Sequence, residues 1–283
     1  MIKKESGDLE ISNTIKRTLS IILLLLVVLL SIFVFDDLVF SLLIMLFISL
    51  GLNEFFNLIR SKGIDVYKKL GILIGLIIPL SIFLRFKPTE EWTLLFILVA
   101  FITFFVLQFA KKDHTDAILG ISTTVFGVIY ISWLGSYFIK IKLLPNGGLF
   151  IIFILLTTKM ADVGAYLIGK KFGRHKLLVR ISPKKSIEGA IGGFLTSIIF
   201  SLLSKFYLSD ISLCHLFILG ILVGISSQLG DLSESLIKRS CNVKDSGRFI
   251  PAQGGVLDLI DSLLFSAPVA YLYIMAYKLY MVP

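Results

Sequence analysis

Thr18-Leu-Ser-Ile-Ile-Leu-Leu-Leu-Leu-Val-Val-Leu-Leu-Ser-Ile-Phe-Val-Phe35 is a run of 18 residues without a charge. A helix rises 1.5 Å per residue, so about 20 apolar residues cross a hydrocarbon core about 30 Å thick. The same reading applies to eight further segments: Leu38–Leu58, Leu70–Leu84, Trp92–Ala110, Ala117–Ile139, Gly148–Gly169, Gly189–Leu208, Leu213–Leu232 and Val256–Met281. Leu70–Leu84 is short and holds Pro79, which predicts a kink or partial insertion. The expected fold is all-α: a polytopic integral membrane protein of about nine transmembrane helices.

Composition excludes most other classes. Of 283 residues, 56% are hydrophobic and 17% charged, with a mean hydropathy of +0.92. A soluble domain is less apolar and holds about a quarter charged residues. A transmembrane β-barrel shows short alternating segments instead of long apolar runs. Cys214 and Cys241 make at most one bridge, which excludes a disulfide scaffold. The first apolar run lacks a small-residue cleavage site, so it reads as a span and not a secretory signal. The net charge of +9 points to a membrane surface, and nucleic acid is not expected as a partner.

Basic residues set the orientation. With the N-terminus inside, the inner segments hold 21 of the 28 Lys and Arg residues, the outer segments six, and Lys159 lies within a span. This predicts a cytoplasmic N-terminus and puts the two richest polar loops on the cytoplasmic side. Spans before about residue 147 are poor in polar groups. Later spans carry Lys159, Asp162, Glu188, Asp231, Glu234, Asp258 and Asp261. Intramembrane charges are costly and usually mark function. The chain therefore divides into an N-terminal scaffold, 1–147, and a C-terminal region carrying the chemistry, 148–283. No internal repeat of the inverted-transporter kind is evident.

Three polar blocks follow. The first runs from Lys159 through Asp162 to Tyr166; these share a helix face, as a self-neutralising pair or as the wall of a headgroup or nucleotide pocket. The second is Ser182-Pro-Lys184-Lys185-Ser-Ile-Glu188-Gly189, with Gly192-Gly193 beyond. Ser182-Pro183 predicts a helix entry, with the lysines gathering anions at its N-terminus or merely fixing topology. The third spans Gln228 to Ser262. Asp231, Ser235 and Lys238 fall on one helical stripe, and Asp258 and Asp261 lie three apart on the next helix. Paired carboxylates on two helices suit a hard divalent cation such as Mg²⁺, which also takes substrate phosphates. Asp258 and Asp261 alone read equally as acids at a helix start. His114, His175 and His215 have no metal-ligand spacing.

The third block resembles the signature of the phosphatidate cytidylyltransferases, the CDP-diacylglycerol synthases. It reads Ser235-Leu-Ile-Lys238-Arg239, Lys244-Asp245-Ser-Gly247, then Ile250-Pro251-Ala-Gln253-Gly254-Gly255-Val-Leu-Asp258-Leu259-Ile-Asp261. The Asp162–Tyr166 and Ser182–Gly189 blocks are similar to that family's as well. Two positions depart: Gln253 stands where the family has His, and Leu259 where it has Arg. Gln cannot take a proton near neutral pH, and Leu removes a fixed cation. Both positions are expected within reach of the metal site.

The resemblance implies transfer of the cytidylyl group of CTP to phosphatidate, giving CDP-diacylglycerol and pyrophosphate. It implies Asp231 and Asp258, then Asp261, as ligands of Mg²⁺, with a monovalent cation such as K⁺ beside it. It implies Asp231, Asp258, Lys238, Arg239 and Lys244 as catalytic, the three cations and Arg248 serving the triphosphate. Asp162, Ser182, Lys184, Lys185, Gln253, Gly254 and Gly255 complete the substrate-binding set. It further implies a homodimer among membrane lipids, in the cell (inner or plasma) membrane, with the site facing the cytoplasm. Two alternatives stand beside this: a transporter for an anionic substrate, and a catalytically weak lipid-binding homologue prompted by Gln253 and Leu259.

Overall fold

The computed structural model describes residues 22–85, 92–109, 115–247 and 254–281. Every apolar segment folds as helix: α1 (Ile22–Phe33), α2 (Asp37–Ser61), α3 (Lys68–Phe83), α4 (Trp92–Phe109), α5 (Ala117–Gly127), α6 (Tyr137–Lys142), α7 (Gly147–Phe172), α8 (Ile187–Leu203), α9 (Leu213–Ser240) and α10 (Val256–Met281). Between α5 and α6 the backbone widens into a π-helical stretch, Val128–Trp133, and the whole Ala117–Lys142 segment runs on as one apolar unit. Among the described residues, six helices are long and apolar enough to cross a membrane: α2, α5 to α6, α7, α8 with its 3₁₀ extension, α9 and α10. α1 and the described apolar part of α4 are shorter. α3 has 16 residues and continues through Pro79.

One element differs from the sequence expectation. Ser182-Pro183 opens a strand, not a helix. β1 (Lys176–Leu178) and β2 (Ser182–Ser186) form an antiparallel ribbon, pairing Lys176 with Ser186 and Leu178 with Ser182. A two-stranded ribbon leaves each strand one unpaired edge, where the missing N–H of Pro183 costs nothing. The helix entry lies four residues later, where Ser186 Oγ accepts the Gly189 N–H at 3.1 Å as the N-cap of α8. Glu188 then holds the ribbon: its carboxylate accepts the backbone N–H groups of Arg174 (3.1 Å) and His175 (3.2 Å) and meets His175 Nδ1 at 2.6 Å. α9 runs past the apolar stretch to Ser240, as the Asp231–Ser235–Lys238 stripe requires, and carries Asp231, Glu234, Lys238 and Arg239 on one helix.

Packing follows small residues and large apolar ones. α7 and α8 meet backbone to backbone: a Cβ on Gly193 would lie 2.7 Å from the Ala161 carbonyl oxygen, and one on Gly189 3.1 Å from the Gly169 Cα. One buried cluster joins Phe40, Ile141, Phe153, Ile154, Leu216 and Ala267. A second joins Leu52, Phe55, Phe56, Ile131, Leu257 and Leu264. The outer surface stays apolar, with Leu23, Val34, Phe109, Ile118, Ile199 and Leu272 exposed. Such a surface suits lipid, not water.

Candidate active site

The three polar blocks converge at one end of the bundle, around the start of α10. Gly254 adopts φ +104°, and a side chain there would meet Asp258 Oδ2 at 2.7 Å. Only glycine fits both conditions. The turn lets Asp258 reach back over its own helix start. Its Oδ2 accepts from Gly255 N at 2.7 Å, Ser246 N at 3.0 Å and Ser246 Oγ at 2.8 Å. Its Oδ1 accepts from Lys238 Nζ at 2.5 Å. Lys238 also pairs with Glu234, one turn earlier on α9. Glu234 is fully buried and joins Ser235 on the stripe that leads to Lys238.

Glu54 on α2 is the residue that sequence reasoning missed. It is buried, and its two oxygens accept from Val256 N and Leu257 N, each at 2.9 Å, and from Ser246 Oγ at 3.2 Å. These satisfy orphan donors at the α10 N-terminus. Gly247 and Gly255 give the carboxylate its space, since a Cβ on either would strike it. The available signal was an acid inside the apolar segment Leu38–Leu58, where acids are rare without a purpose.

A second group lies between β2, α7, α9 and α10. Asp231 pairs with Lys185 from β2, which ties the ribbon to α9. Lys159 Nζ stands 3.7 Å from Asp162. It also donates to the Leu259 carbonyl oxygen at 3.0 Å and to Ser262 Oγ at 3.4 Å. Asp261 is buried, accepts its neighbour Ser262 N at 2.5 Å, and lies within the electrostatic reach of Asp231, Asp162 and Lys159. Among the described residues the buried Tyr130 hydroxyl has no hydrogen-bond partner, and the charges of Asp261, Glu234 and Asp231 act on it. It sits on the π-helical stretch, a distortion found often at functional sites.

The expected metal ligands are not brought together as a ready cage. Among the described residues, no three His, Cys, Asp or Glu side chains converge on a metal position. The reason is local charge pairing: Lys185 occupies Asp231, Lys238 occupies Asp258, and a backbone amide occupies Asp261. The donor set itself fits a hard divalent cation, being carboxylate oxygens with a spare buried hydroxyl and displaceable lysines. Arg239 is exposed at the same end and uses part of its donor set locally. Its guanidinium donates to the carbonyl oxygens of Ile181 (3.2 Å) and Val243 (3.3 Å), clamping ribbon to loop. Ser182 is half-buried in β2, while Lys184 and Lys244 are exposed at the same end. Leu259 lines an apolar cavity of about 420 Å³ with Lys159, Phe40, Ile151 and Leu263. Arg248 and Gln253 lie outside the described residues.

Comparison with known proteins agrees with the signature. The profile of the cytidylyltransferase family matches residues 15–277. A phosphatidate cytidylyltransferase of Synechocystis sp. is 35% identical over 266 residues, covering 83% of this chain and 88% of its own. One from Staphylococcus saprophyticus is 32% identical, covering 89% of this chain and 95% of its own. One from Bacillus subtilis is 33% identical, covering 79% and 85%. With the match running nearly end to end and the signature blocks meeting around one helix start, this chain belongs to the cytidylyltransferase family.

Proposed function

We propose that this membrane protein transfers the cytidylyl group of CTP to phosphatidate, releasing pyrophosphate and CDP-diacylglycerol for phospholipid synthesis. The observation that carries the reading is the gathering of alternating lysines and carboxylates from β2, α7, α9 and α10 at one end of an apolar bundle. The nucleophile is a phosphate oxygen of the lipid, already anionic at neutral pH, so no strong base is needed. It attacks the α-phosphorus of CTP; the bond to the β,γ-diphosphate breaks and pyrophosphate carries away the electron pair. The barrier is crowding of negative charge, relieved by cations and alignment.

In this reading Asp231, Asp258 and Asp261 would hold Mg²⁺, and a monovalent cation such as K⁺ would bind as well. The bound metal supplies charge neutralisation at phosphorus. Lys185 and Lys238 pair with the carboxylates and pass to phosphate oxygens when substrate enters. Lys184, Lys244 and Arg248 extend the cationic rim, and Ser182, Asp162, Gln253, Gly254 and Gly255 shape the nucleotide side. Arg239 keeps the ribbon over α9. We place the N-terminus and the site in the cytoplasm, and assign nine crossings of the cell membrane in a homodimer. The basic-residue asymmetry supports the orientation.

Purified protein should release pyrophosphate from CTP only when phosphatidate and Mg²⁺ are both present. Asp231→Asn should lower turnover at least a hundredfold while the protein remains folded and inserted, because a lost anionic ligand removes most of the charge relief. Absence of CTP-dependent pyrophosphate release by the wild-type protein would sink the reading.

A further inference from the structure

Lys159 is the cation that the reaction scheme leaves without a task. It lies on α7, inside a segment long and apolar enough to span the membrane. A cation there is costly and calls for a partner. Its ammonium reaches across to α10, to the Leu259 carbonyl oxygen at 3.0 Å and Ser262 Oγ at 3.4 Å, with Asp162 Oδ2 at 3.7 Å. Its charge also acts on Asp261. The groups that face one another here are Asp162, Asp231 and Asp261 against Lys159 and Lys185. Removing one lysine leaves three carboxylates to one cation, and the like charges then repel one another.

The second turn of α10 supplies no cation of its own. Position 259, where the signature carries arginine, is leucine, and its side chain lines the apolar cavity. A cation arrives instead from α7 and lands on the main chain of that same residue. We propose that Lys159 is a positioning residue that supplies from α7 the positive charge which the signature places on α10, holding Asp162 and Asp261 in register. This rests on the cytidylyltransferase reading for its kinetic arm alone.

The test is a double-mutant cycle between Lys159→Met and Leu259→Arg, read by turnover and by the apparent melting temperature in detergent with EDTA. Lys159→Met should lower turnover at least tenfold and depress the melting temperature, because two carboxylates lose their counter-ion. Lys159→Arg should keep most of both. Leu259→Arg alone should also lower both, since it puts a guanidinium beside an ammonium and against an apolar cavity wall. Combined with Lys159→Met, the same Leu259→Arg should raise both above the Lys159→Met values. This reversal of sign is something a merely structural lysine would not produce. Wild-type values for Lys159→Met, or no gain on adding Leu259→Arg, overturn the proposal. Lys159→Gln replaces Lys159→Met if the latter fails to accumulate. Should the wild-type protein show no CTP-dependent turnover, the functional reading fails while the melting-temperature cycle still decides the role of Lys159.

Discussion

Glu54 shows at the residue scale how one side chain organises a site to which it contributes no chemistry. It accepts three hydrogen bonds from the segment that carries Ser246, Val256 and Leu257. Glu54→Gln keeps the shape but turns one acceptor into a donor, leaving a buried backbone N–H unpaired. That change should cost about 1–3 kcal/mol, read as a lowered melting temperature in detergent. Turnover should fall with it, because the start of α10 also orients Asp258. An unchanged melting temperature would show that the cap is dispensable. Residue roles were only partly legible in sequence. Asp258 stood out as an acid near a helix start, and that is how it is held, with Gly255 N and Ser246 as donors. Arg239 read as a phosphate ligand by its place in the signature; what the sequence did not show is that two of its five N–H donors go to main-chain carbonyl groups.

Elements were legible wherever hydrophobic length decided them. The apolar runs all became helices, since a lipid-exposed backbone must satisfy its own hydrogen bonds. Polar segments were less readable because several local solutions compete there. Ser182-Pro183 satisfies the rules for a helix entry, but Ser186 offers a better cap, and the ribbon takes up the residues between. The α7–α8 contact carries the element-scale prediction. Gly193→Val would force side-chain atoms against the Ala161 carbonyl oxygen and Ala165. Overpacking of this kind costs about 1–3 kcal/mol. The helices must part, which displaces Asp162 and weakens lipid turnover. Thermal unfolding and turnover of Gly193→Ala and Gly193→Val against the wild-type protein measure the effect; wild-type values for both would show that the two backbones have room to spare.

Across the whole molecule, the apolar shell and the charged end fix how the chain sits in a bilayer. A cysteine placed at Lys176, in a background with Cys214 and Cys241 replaced by serine, should react with an impermeant thiol reagent only from the cytoplasmic face. One placed at Lys205 should react only from the opposite face. The reverse pattern would invert the orientation. Sequence by itself determined the helical membrane architecture, the end of the chain that carries the charges and the family signature. Those properties are local: hydrophobic length, residue type and short spacing. Tertiary structure alone decided which charges meet. Glu54 lies 202 residues from Val256, and Lys159 lies 100 residues from Leu259. Such pairs depend on how far each helix is rotated and shifted against its neighbours. That is set by glycine contacts and apolar packing acting together, and no single stretch of sequence encodes it.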